Sequence, residues 1–488
     1  HKINDKHRLY LSAYSGADVF ANKVIEEGDT FEGGIDWGNI ISALRWNWQM
    51  TPKLFSNTTL TYSNYQLDIG AGFKEKNPGE PTESFSAKYI SGIEDVAAKI
   101  DFDYIPNPRH YIRFGAAATH HTYKPGALTL KADFEDENFD TLIGSQNARS
   151  MEYALYLEDD ISFGAFKANV GLHASAFTVD GVFYKSLQPR LGLRYLFHND
   201  LALKASFATM RQFINLLTSE ALSLPTDLWV PSTERIVPQK SWQVALGAAR
   251  TFWDEYEISV EGYYKKMDDV LSFKEGASFL FGLENDWQDK VTQGTGDTYG
   301  LEFFIQKKKG RTTGWLGYTL AWNWRRFDDI NGGKRFPFRY DRRHDISLVV
   351  SHKISERVSA SAAWVYGTGN AVTLEVYRYQ YPQFEVTSMG QPGYFYYSEV
   401  GTNGEKNAFR MSSYHRLDLS VEFYKKKKHY ERTWVLGVYN AYWHRNPYYL
   451  LVDEDYVLND QGQYESKTVF KEISILPIMP SVSYNFKF

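Results

Sequence analysis

The sequence predicts an all-β protein, a transmembrane antiparallel β-barrel with about 18 strands in this chain. Three observations carry that reading. Apolar and polar residues alternate with period two along most of the 488 residues, the signature of strands with one face in each environment. The connections between these segments are by turns short and long. Finally, 16% of residues are aromatic (13 Trp, 35 Tyr, 32 Phe), yet no run of about 18 apolar residues exists to form a membrane helix. The low mean hydropathy would ordinarily mark a soluble chain. Period-two patterning produces the same value when only every second strand residue meets lipid.

Composition removes several classes. The chain has no cysteine, which excludes a disulfide scaffold, a thiolate metal site and a Cys nucleophile. Its net charge of -5 gives no general attraction to nucleic acid. Too little of it is polar or low-complexity for disorder. No linker, heptad or fixed-period repeat divides it, so residues 1–488 read as a single β-barrel domain.

The segments begin near His7, Trp37, Leu54, Ser91, Tyr111, Ser150, Phe166, Ser186, Leu201, Lys240, Tyr256, Thr298, Thr313, Arg343, Arg357, Ser413, Thr433 and Ser481. Val96, Ala98, Ile100, Phe102 and Tyr104 alternate with Lys99, Asp101 and Asp103, and Leu417, Leu419, Val421 and Phe423 alternate with Arg416, Asp418, Ser420 and Glu422. β-Branched and aromatic runs favour strand over helix. A charge on the lipid face near mid-membrane costs roughly 2–4 kcal/mol, so Lys99, Asp101, Asp103, Glu158, Arg190, Arg194, Glu302, Arg325, Asp418 and Glu422 are assigned to the lumen face. The Tyr and Trp excess is assigned in part to girdles at the two interfaces.

Every second connection is short, as at Pro106-Asn107-Pro108, Phe163-Gly164, Trp253-Asp254-Glu255 and Lys309-Gly310. The others are mostly long, roughly 15–36, 68–90, 124–149, 211–238, 270–297, 327–342, 368–412 and 443–480, with a shorter link at Asp180-Gly181. A soluble β-sandwich has no reason for this asymmetry; an outer-membrane barrel, with short periplasmic turns and long extracellular loops, does. The last strand then descends to a periplasmic C-terminus. Counting back, His1 to Lys6 reads as a periplasmic turn inside a hairpin, which implies an even number of strands upstream.

The C-terminal run Pro477 to Phe488, with Tyr484, Phe486 and Phe488 in alternation, resembles the terminal signal that the barrel-assembly machinery recognises. Ser241 to Gly247, Tyr299-Gly300-Leu301-Glu302, Gly314 to Thr319, Tyr340 to Asp345, and Tyr439 to Tyr442 followed by Asn446 to Tyr449 resemble successive strands of TonB-dependent outer-membrane transporters. Tyr153 to Asp160 and Gln188 to Leu191 fit their middle strands. The resemblance covers nearly the whole chain. It implies a barrel of about 22 strands, of which about 18 are here, and an N-terminal plug domain and TonB box, neither of which is in this sequence. It further implies substrate binding at the outer loops and plug apex, an energised TonB complex as partner, and, in some branches, a surface lipoprotein over the loops.

No Walker A loop, H-E-x-x-H, G-x-S-x-G or EF-hand motif occurs, so no enzyme, cofactor or resident metal is expected. His120 and His121 are adjacent on a strand and face opposite ways, which prevents joint ligation of one metal. The acidic loops Asp133 to Asp140 and Asp453 to Asp460 have the carboxylate density to hold Ca²⁺, but a solvated loop tip is the preferred reading. Lys307 to Lys309 and Lys425 to Lys428 fall at periplasmic turns and are read as headgroup anchors. The loop after Gly369 is the ligand candidate: Tyr377, Arg378, Tyr379, Tyr381, Tyr394, Tyr396, Tyr397 and Arg410 combine flat rings, hydroxyls and cations at low entropic cost. Trp229 is a second exposed aromatic candidate. The expected function is TonB-dependent transport of a nutrient or chelate. The competing readings are a passive porin of about 18 strands and a barrel-anchored surface receptor or adhesin.

Overall fold

A computed structural model describes the chain except for residues 27–28, 76–81, 134–137, 145–146, 218–227, 278–285, 386–393, 459–461, 463, 475 and 488. Among the described residues the only helical pieces are two short 3-10 turns, Trp287–Lys290 and Asn331–Gly333. Twenty strands belong to one sheet. Two of these, Asn138–Gly144 and Phe336–Pro337, are short and lie beside longer neighbours. The other eighteen match the eighteen expected segments one for one, from His7–Glu26 to Met479–Lys487.

The chain divides into two compact units, His1–Leu246 with Lys265–Thr295, and Gly247–Tyr264 with Gly296–Phe488. In the first, strands that follow one another in sequence pair antiparallel, from His7–Glu26 with Asp29–Thr51 through Val182–Leu196 with Leu201–Gln212. In the second the same meander runs from Thr312–Arg326 to Met479–Lys487. Hairpins between neighbours are what antiparallel pairing allows with minimal chain. At the Asp180-Gly181 link both residues have positive φ, 46° and 83°. That is the type I′ geometry whose twist matches two flanking strands.

Register fixes the faces, since directly opposed residues share a side. In the first unit Asp101 faces Gly115, Gly115 faces Tyr156, Tyr156 faces His173 and His173 faces Gln188. The alternate residues form the other side, where Leu60, Leu155, Leu157 and Leu187 are between 54% and 64% exposed. An apolar surface of that extent does not persist in water. Stacked rings lie on it, Trp46 on Trp48 and Phe102 on Phe114, and the second unit has Trp434 against Tyr484.

One expectation is corrected. Several of the long connections are continued β-structure rather than irregular loops. The first two strands run 20 and 23 residues and pair from His7↔Trp48 to Glu26↔Asp29, so the expected loop 15–36 is mostly ladder. Within 368–412 the backbone of Glu375–Glu385 pairs with Tyr394–Asn403, and within 443–480 Tyr449–Leu458 pairs with Tyr464–Ile473. A hairpin satisfies its own backbone donors and acceptors whatever its side chains. These stretches therefore hold their ladder without an apolar/polar alternation for the sequence to display.

The first unit's buried core is not under the lipid-type face. It gathers where the strands outrun that face, with Tyr89, Leu217, Leu228, Val230, Ile236 and Val291 in one cluster. Four of these sit in or just after the small hairpin Ile214–Leu217 with Leu228–Pro231, which packs on the extended strands.

Candidate functional site

In the first unit the Ile214–Leu217/Leu228–Pro231 hairpin turns Asn215, Leu217, Leu228 and Val230 inward, to 3% exposure or less. Ile214 and Trp229 therefore fall on its opposite side. There they line a cavity of about 350 Å³, together with Phe213 and Ile93, the carboxylates of Asp95 and Glu152, and the guanidinium-bearing Arg211. The pair Phe177 and Phe213, stacked at 5.0 Å, fixes the Phe213 end.

Behind the carboxylates lies His121, 4% exposed. Its Nδ1 is 2.7 Å from Asp95 Oδ1. Its Nε2 is 3.8 Å from Glu152 Oε2, beyond hydrogen-bond reach, and has no other partner. Tyr123 and Ser150 close this end with a hydroxyl–hydroxyl contact of 3.3 Å. His121 faces Asp95 in register while His120 faces Val96, so the two histidines do point to opposite sides. Asp95, Glu152 and Arg211 were not singled out by sequence. They stand on three separate strands, and only the register and the fold of the hairpin bring them to one cavity.

Further along the same face lies a ladder of charges. Lys99 Nζ is 2.9 Å from Asp101, and Arg113 Nη2 is 2.8 Å from Glu158 and 3.3 Å from Asp160. Tyr111 donates to Asp103 at 2.6 Å, and Tyr156 donates to Asp101. Lys99, Glu158 and Arg190 line one recess of about 390 Å³ with Arg113 and His173. Arg194 lies directly opposite both Lys167 and Lys204, and its Nε is buried without a partner. All six expected polar positions of this unit thus share one face.

In the second unit, Asp341 is 1% exposed and its carboxylate is saturated. It accepts from the Asn323 N–H at 2.6 Å, from Arg343 Nη2 at 3.3 Å and from Arg410 Nη2. Arg410 also reaches the Gly369 carbonyl at 3.3 Å. Arg410, expected to bind ligand, thus also clamps the buried Asp341 carboxylate. Arg325 donates to Asn323 Oδ1 at 2.7 Å and stacks on Phe338 at 4.4 Å. Asp418 holds Arg416 at 3.0 Å and accepts from the Asn440 N–H at 3.0 Å. On the same strand Glu422 stands opposite Ser359, as Asp418 stands opposite Ala363, and Glu302 is exposed.

The backbones of Tyr377, Arg378, Tyr379 and Tyr381 pair with Thr402, Gly401, Val400 and Ser398, and Tyr396 and Tyr397 lie opposite Gln383 and Pro382, with Tyr394 opposite Glu385. Their side chains lie outside the described residues. So do Glu135, Asp136 and Glu137 of the first acidic loop and Asp460 of the second. Asp453 and Asp455 grip Lys471 at 2.7 and 3.0 Å, and those hydrogen bonds hold its ammonium above the ordinary lysine pKa. Among the described residues no group of three or more His, Asp or Glu side chains could hold a metal ion.

A family model described as "TonB dependent receptor-like, beta-barrel" matches residues 8–441. The chain belongs to that family. Solved structures agree on the fold. The ferric-catecholate import receptor Fiu of Escherichia coli K12 aligns at a TM-score of 0.55 and 10% identity, over 99% of this chain and 75% of that one. The FrpB iron transporter of Neisseria meningitidis aligns at 0.51 and 9%, over 99% and 81%. BauA, the ferric preacinetobactin receptor of Acinetobacter baumannii, aligns at 0.53 and 9%, over 98% and 72%. A sequence comparison with curated proteins gives no match.

As a TonB-dependent receptor-like barrel, the protein is an outer-membrane β-barrel of a receptor and transporter family. Its eighteen long strands are the wall. The last of these carries Tyr484 and Phe486, 47% and 48% exposed, with Tyr484 opposite Trp434; Phe488 lies outside the described residues. At turns of the second unit, Lys307 and Lys426 pair with Glu255 and Glu431 at 2.9 and 3.2 Å.

Proposed function

We propose that this barrel takes up a nutrient or chelate across the outer membrane by TonB-dependent active transport. The observation that carries this reading is the family match over nearly the whole chain, joined to a wall whose one face is apolar and whose other face is a charge ladder ending at a cavity. In this reading Lys99, Asp101, Asp103, Glu158, Arg190, Arg194, Glu302, Arg325, Asp418 and Glu422 line the lumen, against a plug domain that the TonB complex pulls. Trp229 and the tyrosine-rich hairpin, with Tyr377, Arg378, Tyr379, Tyr381, Tyr394, Tyr396 and Tyr397, meet substrate on the outer side, where a surface lipoprotein could cover them. Tyr484 and Phe486 present the assembly signal to the barrel-assembly machinery, and the C-terminus is periplasmic. No resident cofactor takes part.

Uptake of a panel of ferric chelates, cobalamin, peptides and oligosaccharides by cells with and without the gene tests this, each with the TonB system intact or disabled. The reading expects at least one solute whose uptake needs both. Gene-dependent uptake that survives loss of TonB would make the barrel a passive porin, and surface binding with no uptake would make it a receptor or adhesin.

A further inference from the structure

The cavity beside Trp229 carries both signs of charge in an apolar frame. Asp95 and Glu152 line it with side chains 30% and 31% exposed. Arg211 lines it too, and among the described residues no carboxylate pairs with its guanidinium. Its backbone is anchored, since the Arg211 N–H donates to Gln188 Oε1 at 3.2 Å. Phe213 and Trp229 supply flat apolar wall. His121 secures Asp95 from behind at 2.7 Å and stands within ion-pair distance of Glu152 at 3.8 Å, without a hydrogen bond to it.

These groups differ from a salt-bridge network that has closed on itself. The two carboxylates share the single cation of His121, while Arg211 has no carboxylate of its own among the described residues, so the cavity presents an incompletely matched set of both signs that an occupant would complete. A metal ion does not fit: the histidine nitrogen nearest Asp95 is already hydrogen-bonded to it, and no three-ligand set exists among the described residues. A purely anionic ligand would meet two carboxylates, and a purely cationic one would leave Arg211 without a counter-charge. At about 350 Å³ the cavity is at the small end of ligand pockets, which run from about 300 to 1,000 Å³.

The geometry points to a zwitterion with an apolar side chain: an amino acid or short peptide whose α-ammonium meets Asp95 and Glu152, whose carboxylate meets Arg211, and whose side chain rests on Phe213 and Trp229. As a substrate class this rests on the uptake reading above; as a binding site it does not. His121 is then a positioning residue, holding the Asp95 carboxylate.

The test is calorimetric binding to the purified full-length protein, with phenylalanine and the dipeptide Leu-Phe as probes, beside N-acetyl-Leu-Phe and Leu-Phe amide. We expect one or both free zwitterions to bind, each blocked form to bind at least tenfold more weakly, and Trp229→Ala and Glu152→Gln each to weaken binding at least tenfold. Gel mobility before and after heating checks that both variants remain folded barrels. Stronger binding of Leu-Phe than of phenylalanine assigns the site to peptides, and the reverse assigns it to free amino acids. Absence of binding by both, equal binding of the blocked forms, or full affinity in both folded variants would overturn the proposal. No energised membrane is present, so binding without uptake in cells would refute the transport reading and leave the site standing. TonB-dependent uptake of some other solute, without zwitterion binding, would do the opposite.

Discussion

His121 and Asp341 are both buried, both titratable and both surrounded by opposite charge, yet their surroundings finish differently. Around Asp341 every contact is made: a backbone N–H, Arg343 and Arg410 close on one carboxylate that is 1% exposed. Around His121 one nitrogen is bonded and the other is not, and the two carboxylates open onto a cavity. A saturated buried charge holds backbone segments together, here the end of the Thr312–Arg326 strand and the short Phe409–Arg410 strand. An unsaturated one is free to answer a ligand. The same residue types thus serve structure in one unit and a candidate site in the other, and the count of satisfied bonds tells them apart.

The largest effect is expected where saturation is complete. Asp341→Ala leaves two guanidinium groups facing a buried void, and removing one partner of a buried pair costs about 3–5 kcal/mol; urea unfolding of the barrel in lipid vesicles should show a loss of that order. A loss below about 1 kcal/mol would end the description of Asp341 as a clamp. Next comes a site outside both clusters. Leu155→Arg puts a charge on the apolar face midway along Ala148–Phe163, where Leu155 is 62% exposed, and about 2–4 kcal/mol is expected. If that variant were as stable as the parent, the apolar face would not meet lipid. The smallest effect belongs to Glu152→Gln. Its carboxylate is partly exposed and 3.8 Å from His121 Nε2, so stability should change by less than about 1 kcal/mol while ligand binding falls. A destabilisation as large as that of Asp341→Ala would show that both buried clusters are structural.

The sequence displayed the strands that cross lipid because there the solvent differs on the two sides, and Leu155 and Glu158 must sort by parity. It hid the outer ladders for the opposite reason. Residues such as Gly33, Gly34, Gly70 and Ser86 pair in long hairpins, but similar surroundings on both sides impose no alternation. The site was partly legible. Trp229 was legible as an aromatic candidate, though as an exposed ring rather than the half-buried cavity wall it is. The ten polar positions followed from parity, and six of them share one face by register in the first unit. Asp95, His121, Glu152 and Arg211 were not legible as a group, since their meeting depends on exact cross-strand register and on a hairpin folding inward. The structural side of Arg410 was not legible, because a cation near tyrosines in a loop looks free until its buried carboxylate partner, 69 residues away in sequence, is found.

If one face of this wall lines a solute path and the other meets lipid, chemical accessibility must alternate residue by residue along a strand. The chain has no cysteine, so single cysteines can be placed without background from Glu152 through Glu158 on the barrel in lipid vesicles and treated with a charged maleimide. Labelling is expected at 152, 154, 156 and 158, with protection at 153, 155 and 157. Uniform labelling, or protection at the even positions with labelling at the odd ones, would show that the two faces are not divided between solute and lipid.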